Sequence, residues 1–174
     1  MTAAAADGWS IDWYDGPRAA LRELFLLADD SVAQVDATIG RGRVLVASGA
    51  DGAALAHLQL VTDDTGEPEI ASLAVVERCR GRGIGRALVE RALEACRADG
   101  AASVRVRTGM ADVGNLRFYQ RLGFRAAAIE RDAFTPERGY PAGLESDGIP
   151  LLDAITLTAD LAGDAQPGAS RSPR

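Results

Sequence analysis

Apolar and polar positions change rhythm several times along the chain, and each change marks an element. Residues 9–15, WSIDWYD, alternate as a half-buried strand does. Over residues 16–40 the rhythm lengthens to that of a helix. Leu21, Leu24, Phe25 and Leu27 gather on one side, Pro17 suits the first turn, and residues 29–31 break the helix in two. Strands at 43–48 and 53–61 follow, joined by a Gly-Ala-Asp-Gly turn of hairpin character. A second turn at 62–68 leads to a third consecutive strand, 69–76, apolar enough to be central. Residues 85–98 return to helical spacing, with an apolar stripe of Leu88, Ala92, Leu93, Ala95 and Cys96. Arg86 and Glu90 pair four apart on the wet side, and Gly100 caps the end. Residues 102–108 alternate as a strand with one exposed face. A short helix at 112–124 runs through Leu116, Tyr119 and Leu122 and stops at Gly123. Strands at 124–129 and 151–161 close the pattern, with a loop at 135–150 between them.

The order β-α-β-β-β-α-β-α-β-β predicts an α/β (α+β) fold: a mixed sheet with helices on both faces. Residues 8–161 form one expected domain. Residues 1–7 are expected to fray, and the polar, Gly/Pro/Ser-rich end from 162 to 174 to be disordered.

Composition narrows the chemistry. The 174 residues carry 25 acidic and 19 basic side chains, a net charge of −6. General nucleic-acid binding, which needs a basic face, is not expected. An acidic surface favours a cationic partner such as an amine. All the basic residues are arginine, so a P-loop lysine and Schiff-base chemistry are both excluded. Cys79, Cys96 and the lone His57 lack metal-site spacing, and no metal is expected. The two thiols read as reduced cysteines of a cytoplasmic protein. The start, MTAAAADGWS, has neither the basic opening nor the apolar run of a secretory leader, and no membrane association is expected.

Against this acidic background stands RCRGRGIGRAL, residues 78–88, with four arginines and three glycines. Gly81, Gly83 and Gly85 follow a strand and open a helix. Backbone N–H groups converge at such a junction, and the helix dipole adds roughly half a positive charge. Glycine lets a bulky anion approach the backbone. Arg80, Arg82 and Arg86 are placed to add charge-assisted bonds. The stretch therefore predicts a phosphate or pyrophosphate cradle. A dinucleotide fingerprint fits poorly, because the third glycine comes one position early and three consecutive strands precede it. A plain turn with solvated arginines is the alternative, and the strand–turn–helix placement counts against it.

Two motifs together resemble the GCN5-related N-acetyltransferase (GNAT) superfamily. One is Arg80-Gly81-Arg82-Gly83-Ile84-Gly85 after a strand. The other is Phe118-Tyr119-Gln120-Arg121-Leu122-Gly123-Phe124 at the end of a short helix. The resemblance implies a mainly antiparallel sheet splayed between its fourth and fifth strands, and acetyl-CoA as cosubstrate. By it, residues 80–86 (Arg80, Gly81, Arg82, Gly83, Ile84, Gly85 and Arg86) hold the CoA pyrophosphate. Leu73, Ala74 and Val75 pair with the pantetheine arm as with an added strand. Tyr119 matches the family's general acid, which protonates the leaving thiolate. Glu69 matches a carboxylate that many relatives carry, and is the candidate base; Glu77 and His57 are weaker candidates. Asp112 stands where many relatives have a CoA-contacting Asn, and Asn115 nearby is the candidate substitute. Arg107 stands where enzymes acetylating ribosomal-protein N-termini carry Glu, which counts against that activity. The expected acceptor is a small-molecule primary amine, attacking directly in a ternary complex. Acetylation of a protein N-terminus or lysine, and acyl-CoA sensing without turnover, remain as alternatives. The loop at 135–150, with Tyr140, Glu145 and Asp147, is placed to wall an acceptor site or else is plain surface. A homodimer is common in the superfamily and is carried as a possibility of the resemblance.

Overall fold

The computed structural model describes residues 8–63 and 65–162. The expected fraying of residues 1–7 and the expected tail beyond residue 162 lie outside the described residues. The sheet has seven strands in the order β1-β2-β3-β4-β5-β9-β6. These are β1 Trp9–Trp13, β2 Arg43–Gly49, β3 Ala54–Thr62, β4 Pro68–Val75, β5 Ser103–Gly109, β6 Arg125–Glu130 and β9 Ala154–Asp160. Two short strands, β7 Glu145–Ser146 and β8 Ile149–Pro150, form a separate hairpin. The helices are α1 Arg22–Leu26, α2 Val32–Thr38, α3 Ile84–Ala98 and α4 Val113–Arg121.

Strand alternation divides the core in two. On β2, Val44 and Val46 face Leu21 of the 3-10 turn before α1, Leu24 and Phe25 of α1 and Val35 of α2, all buried with them. Leu45 and Ala47 face the other way, onto Leu88, Val89 and Ala92 of α3. Helices thus cover both faces of a mainly antiparallel sheet, as the pattern predicts. Each large apolar side chain fully buried on α3 contributes about 1.5–3 kcal/mol.

Every pairing in the sheet is antiparallel except β4 with β5. That parallel pairing holds only at Glu69↔Arg105 and Ile70↔Val106. Directly after it the β3–β4 register slips: Leu60 faces Ile70 but Gln59 faces Ser72, so Ala71 is an extra residue. Such a bulge bends its strand and increases local twist. β4 and β5 part at this point, and Leu73, Ala74 and Val75 keep a partner only on the β3 side. The splay expected between the fourth and fifth strands is therefore present, and a bulge sits at its origin.

Two local differences from the pattern have clear causes. The first helical region is a 3-10 turn at Arg18–Leu21, α1, a break at 27–31, and α2. The break follows from Asp29-Asp30-Ser31. Asp29 Oδ1 accepts the Ser31 N–H at 2.8 Å, and Ser31 Oγ accepts the Gln34 N–H at 3.2 Å as the cap of α2. The loop expected at 135–150 contains the β7–β8 hairpin. Its turn places Asp147 at φ 50° and Gly148 at φ 77°, the two positive angles that a tight Asp-Gly hairpin turn requires.

His57 is a core residue. It is fully buried on β3, stacks on Phe25 at 4.1 Å, and bonds Ser72 Oγ through Nε2 at 2.8 Å. Its Nδ1 has no hydrogen-bond partner among the described residues. Burial lowers its pKa from 6.5 to about 3 by penalising the imidazolium. Above pH 6.5 the ring is neutral both folded and unfolded. Below it the unfolded chain binds a proton that the folded one refuses, so stability falls by about 1.4 kcal/mol per pH unit down to about pH 3. At pH 5 the loss relative to pH 7 is about 2 kcal/mol. Denaturant titrations of wild type and His57→Gln should show a shallower acid slope in the variant; parallel slopes would refute this assignment.

Candidate active site

The glycine turn is built by left-handed backbone. Gly81 sits at φ 75° and Gly83, the N-cap of α3, at φ 82°. No side chain caps this 15-residue helix, so its first amides are free for a ligand. Apolar residues pin the turn beneath: Cys79 and Ile84 are buried in the core, at 5% and 1% exposure. Arg80 Nε donates to Val75 O at 3.2 Å and ties the turn to the end of β4.

A cleft of about 490 Å³ opens over this turn. Arg80, Gly81, Gly83, Ile84, Gly85 and Arg86 line one wall. Arg82 is exposed on the same turn and is not part of that wall. The other wall is α4, through Gly114, Arg117, Phe118 and Arg121. Four arginines therefore surround the cleft, with no carboxylate in its lining. Free helix amides, glycine backbone and four guanidinium groups fit a polyanion with more than one phosphate. Arg117 and Arg121 are additions to the residues predicted from sequence. Their signal was a four-residue spacing on a helix beside the glycine turn.

The cleft runs into a second cavity of about 550 Å³, a gap along the free edge of β4 that shares Val75, Arg80, Gly85, Gly114 and Phe118 with it. Leu73, Ala74, Asn115 and Tyr119 border this gap. Tyr119 is 5% exposed and packs edge-on against Phe118 and Phe124, with ring centroids 5.0 and 5.4 Å away. Burial, and secondarily the charge of Asp112, push its phenol far above the usual tyrosine range. It is a fully protonated hydroxyl at any working pH.

Asp112 caps α4. Its Oδ1 accepts the Asn115 N–H at 2.8 Å, and its Oδ2 accepts the Asn115 side-chain amide at 2.7 Å. Residues 112 and 115 thus form one locked pair at the mouth of the gap. Its carboxylate is taken up by the helix end, where a negative charge is favourable.

A third cavity, about 270 Å³, adjoins the gap and shares Ala28, Asp29, Asp30, Asp112 and Asn115 with it. Glu69, Arg107, Phe134, Tyr140 and Glu145 enclose its far side. Glu69 Oε2 accepts from Arg105 Nε at 2.8 Å, and Arg105 Nη1 also reaches Asp63 at 2.9 Å. Arg107 is paired with Glu130 at 2.8 Å. The 135–150 segment contributes Tyr140, Glu145 and Ser146 to the wall of this cavity. Glu77 is exposed on the turn after β4 and borders none of these three cavities. Among the described residues no group of three His, Cys, Asp or Glu is arranged to hold a metal, and no helix is long and apolar enough to cross a membrane.

An arginine-lined cleft thus continues along the free edge of β4 into a cavity bordered by carboxylates. The sequence profile of the acetyltransferase (GNAT) family matches residues 7–124, and the chain belongs to that family. It is 35% identical over 141 residues to an uncharacterized N-acetyltransferase, YvbK, of Bacillus subtilis, spanning 81% of this chain and 89% of the relative. Among solved structures it resembles an IAA acetyltransferase from Bacillus cereus, at TM-score 0.77 and 32% identity, over 87% of this chain and 99% of that one. It also resembles a GNAT family acetyltransferase from Elizabethkingia anophelis with acetyl-CoA bound, at TM-score 0.79 and 27% identity, over 88% and 99% of the two chains.

Proposed function

We propose that this protein is an N-acetyltransferase that carries an acetyl group from acetyl-CoA to the primary amine of a small molecule, by direct attack in a ternary complex. The observation that carries this reading is the unbroken run of three cavities: arginine-lined, then strand-walled, then acidic. The first suits the phosphates of CoA, with the helix amides and Arg80, Arg86, Arg117 and Arg121 as partners. The second suits an extended pantetheine arm lying along the free edge of Leu73, Ala74 and Val75. The third has room for a compact acceptor, and its carboxylates favour a cation.

The chemistry follows from what each side chain can supply. Backbone N–H groups at the end of β4 are placed to stabilise the oxyanion that forms when nitrogen attacks the thioester carbonyl. Tyr119 donates the proton that the departing thiolate needs. Its raised pKa makes it a weak donor, but the thiolate leaves beside the buried Tyr119 ring, where desolvation raises thiol pKa too. A small acceptor is favoured over a polypeptide because the acidic cavity is only about 270 Å³ and is bordered by Tyr140, Glu145 and Ser146.

A panel of primary amines with acetyl-CoA, followed by release of free CoA thiol, tests the proposal. Turnover is expected with compact cationic amines and not with peptide N-termini. No release above the acceptor-free rate with any amine would refute it.

A further inference from the structure

Five carboxylates border the acidic cavity: Asp29, Asp30, Glu69, Asp112 and Glu145. Most of them are committed elsewhere or stand in solvent. Glu69 is engaged by Arg105 at 2.8 Å. Both oxygens of Asp112 are taken by Asn115. Asp30 and Glu145 are exposed. Asp29 differs on each count. It is half-buried and borders both the strand gap and the acidic cavity. Its Oδ1 is fixed by the Ser31 N–H at 2.8 Å, and its Oδ2 has no hydrogen-bond partner among the described residues.

The loop that carries Asp29 is held at its far end as well. Ser31, 2% exposed, donates through Oγ to Gly139 O at 2.6 Å, and Gln34 Nε2 donates to Arg138 O at 3.1 Å. The carboxylate is therefore fastened between α2 and the wall of the acidic cavity, with one oxygen aimed by geometry rather than by chance. Such fixing is what positions a reacting group in advance.

We propose that Asp29 receives the ammonium group of the acceptor at the junction of the two cavities and takes its proton. This rests on the amine-acetylation reading and adds the residue that selects the acceptor. The ammonium gives one proton to the Asp29 carboxylate. The neutral nitrogen then attacks the thioester carbon, a C–N bond forms, and the C–S bond breaks. The thiolate sulfur gains the Tyr119 proton, the nitrogen's second proton restores the Tyr119 phenol, and Asp29 holds the proton that is released last. The amide and CoA thiol leave, and one proton passes to solvent.

The surroundings suit that role. Burial raises the Asp29 pKa, the Ser31 bond opposes this, Asp30 adds to the rise and Arg107 lowers it. Arg107 is itself paired with Glu130. Burial, and after it the charge of Asp29, raise the pKa of Tyr140 across the cavity, and Arg107 opposes the rise. Asp112, at the end of α4, is held by Asn115. Desolvation disfavours both the ammonium and the carboxylate, so the proton moves between them at a smaller cost than in water.

The test uses butylammonium and its uncharged counterpart butan-1-ol, each titrated into the desulfo-CoA complex and followed by amide chemical shifts. Wild type should bind butylammonium about tenfold more tightly than the alcohol. Asp29→Asn, which keeps an oxygen for the Ser31 N–H, should lose that preference while holding desulfo-CoA within about twofold. Asp29→Glu should keep part of it. With the best amine of the panel, Asp29→Asn should lower kcat about 100-fold, and by more than Glu69→Gln does. A preference that survives Asp29→Asn, its absence in wild type, an equal loss of desulfo-CoA binding, or a larger loss in Glu69→Gln would overturn the assignment. If no amine is acetylated but the ammonium preference depends on Asp29, the transferase reading fails and the binding role of Asp29 stands.

Discussion

Tyr119→Phe should lower kcat by about 100-fold or more while leaving acetyl-CoA affinity within about twofold. The substitution removes one oxygen from a ring whose packing is otherwise complete. Phe118 and Phe124 hold that ring edge-on, and a phenylalanine keeps both contacts. The melting temperature should therefore move by less than about 4 °C. What changes is the proton: the thiolate would leave without the phenol as its donor. Steady-state kinetics with the best amine of the panel, beside calorimetry with acetyl-CoA, separates these outcomes. Unchanged turnover would remove Tyr119 from the chemistry and leave it a packing residue. Equal losses of turnover and affinity would make it part of the binding wall instead.

Gly85→Glu should abolish cofactor binding without unfolding the protein. A Cβ at Gly85 meets Phe118 and Val75 at 3.6 Å, which is ordinary contact, and its backbone lies within α3. Glutamate is a better helix former than glycine, by roughly 0.5–1 kcal/mol, and its charge is welcome in a first turn. Stability should hold or rise slightly. The side chain, however, must project into the cleft between β4 and α4, bringing a negative charge among groups arranged for phosphate. Acetyl-CoA affinity should fall at least about 100-fold, or about 2.7 kcal/mol. Binding lost while the melting temperature is kept separates a blocked site from a broken fold. Gly85→Ala, neutral and small, should show a much weaker effect.

Much of the fold is legible in the sequence because its elements are locally self-consistent. Residues 53–61 and 69–76 carry strand-forming runs between strong turn signals, and the stripe from Leu88 to Cys96 fixes the helix after the glycine turn. The β4–β5 splay is legible only through the family resemblance. Its physical origin, the extra residue Ala71, leaves no mark in composition or rhythm. The cofactor side is legible for the same reason as the fold, since residues 80–86 form one contiguous turn. Arg117 and Arg121 belong to the same cleft but sit on another helix, and only packing brings them in.

The acidic cavity, the acceptor site of the proposal, is assembled from four separate stretches, residues 28–30, 69–71, 107–115 and 134–151. Asp29 reads in sequence as a helix break, and it is one; its second role depends on where α1 lays that break. Asp112 reads as a lost CoA contact, and the structure gives it the work of a helix cap. His57 is open in sequence to a catalytic or a structural reading. The Phe25 ring over it and Ser72 beside it place it in the core, away from the three cavities.

Calorimetric titration of acetyl-CoA into the wild-type protein tests most directly whether the arginine-lined cleft and the strand gap form one acyl-CoA site. The expected result is one site per chain with a dissociation constant of about 10 μM or tighter, matched by desulfo-CoA and lost in Gly85→Glu. No binding by the wild type, or binding that Gly85→Glu leaves intact, would contradict it.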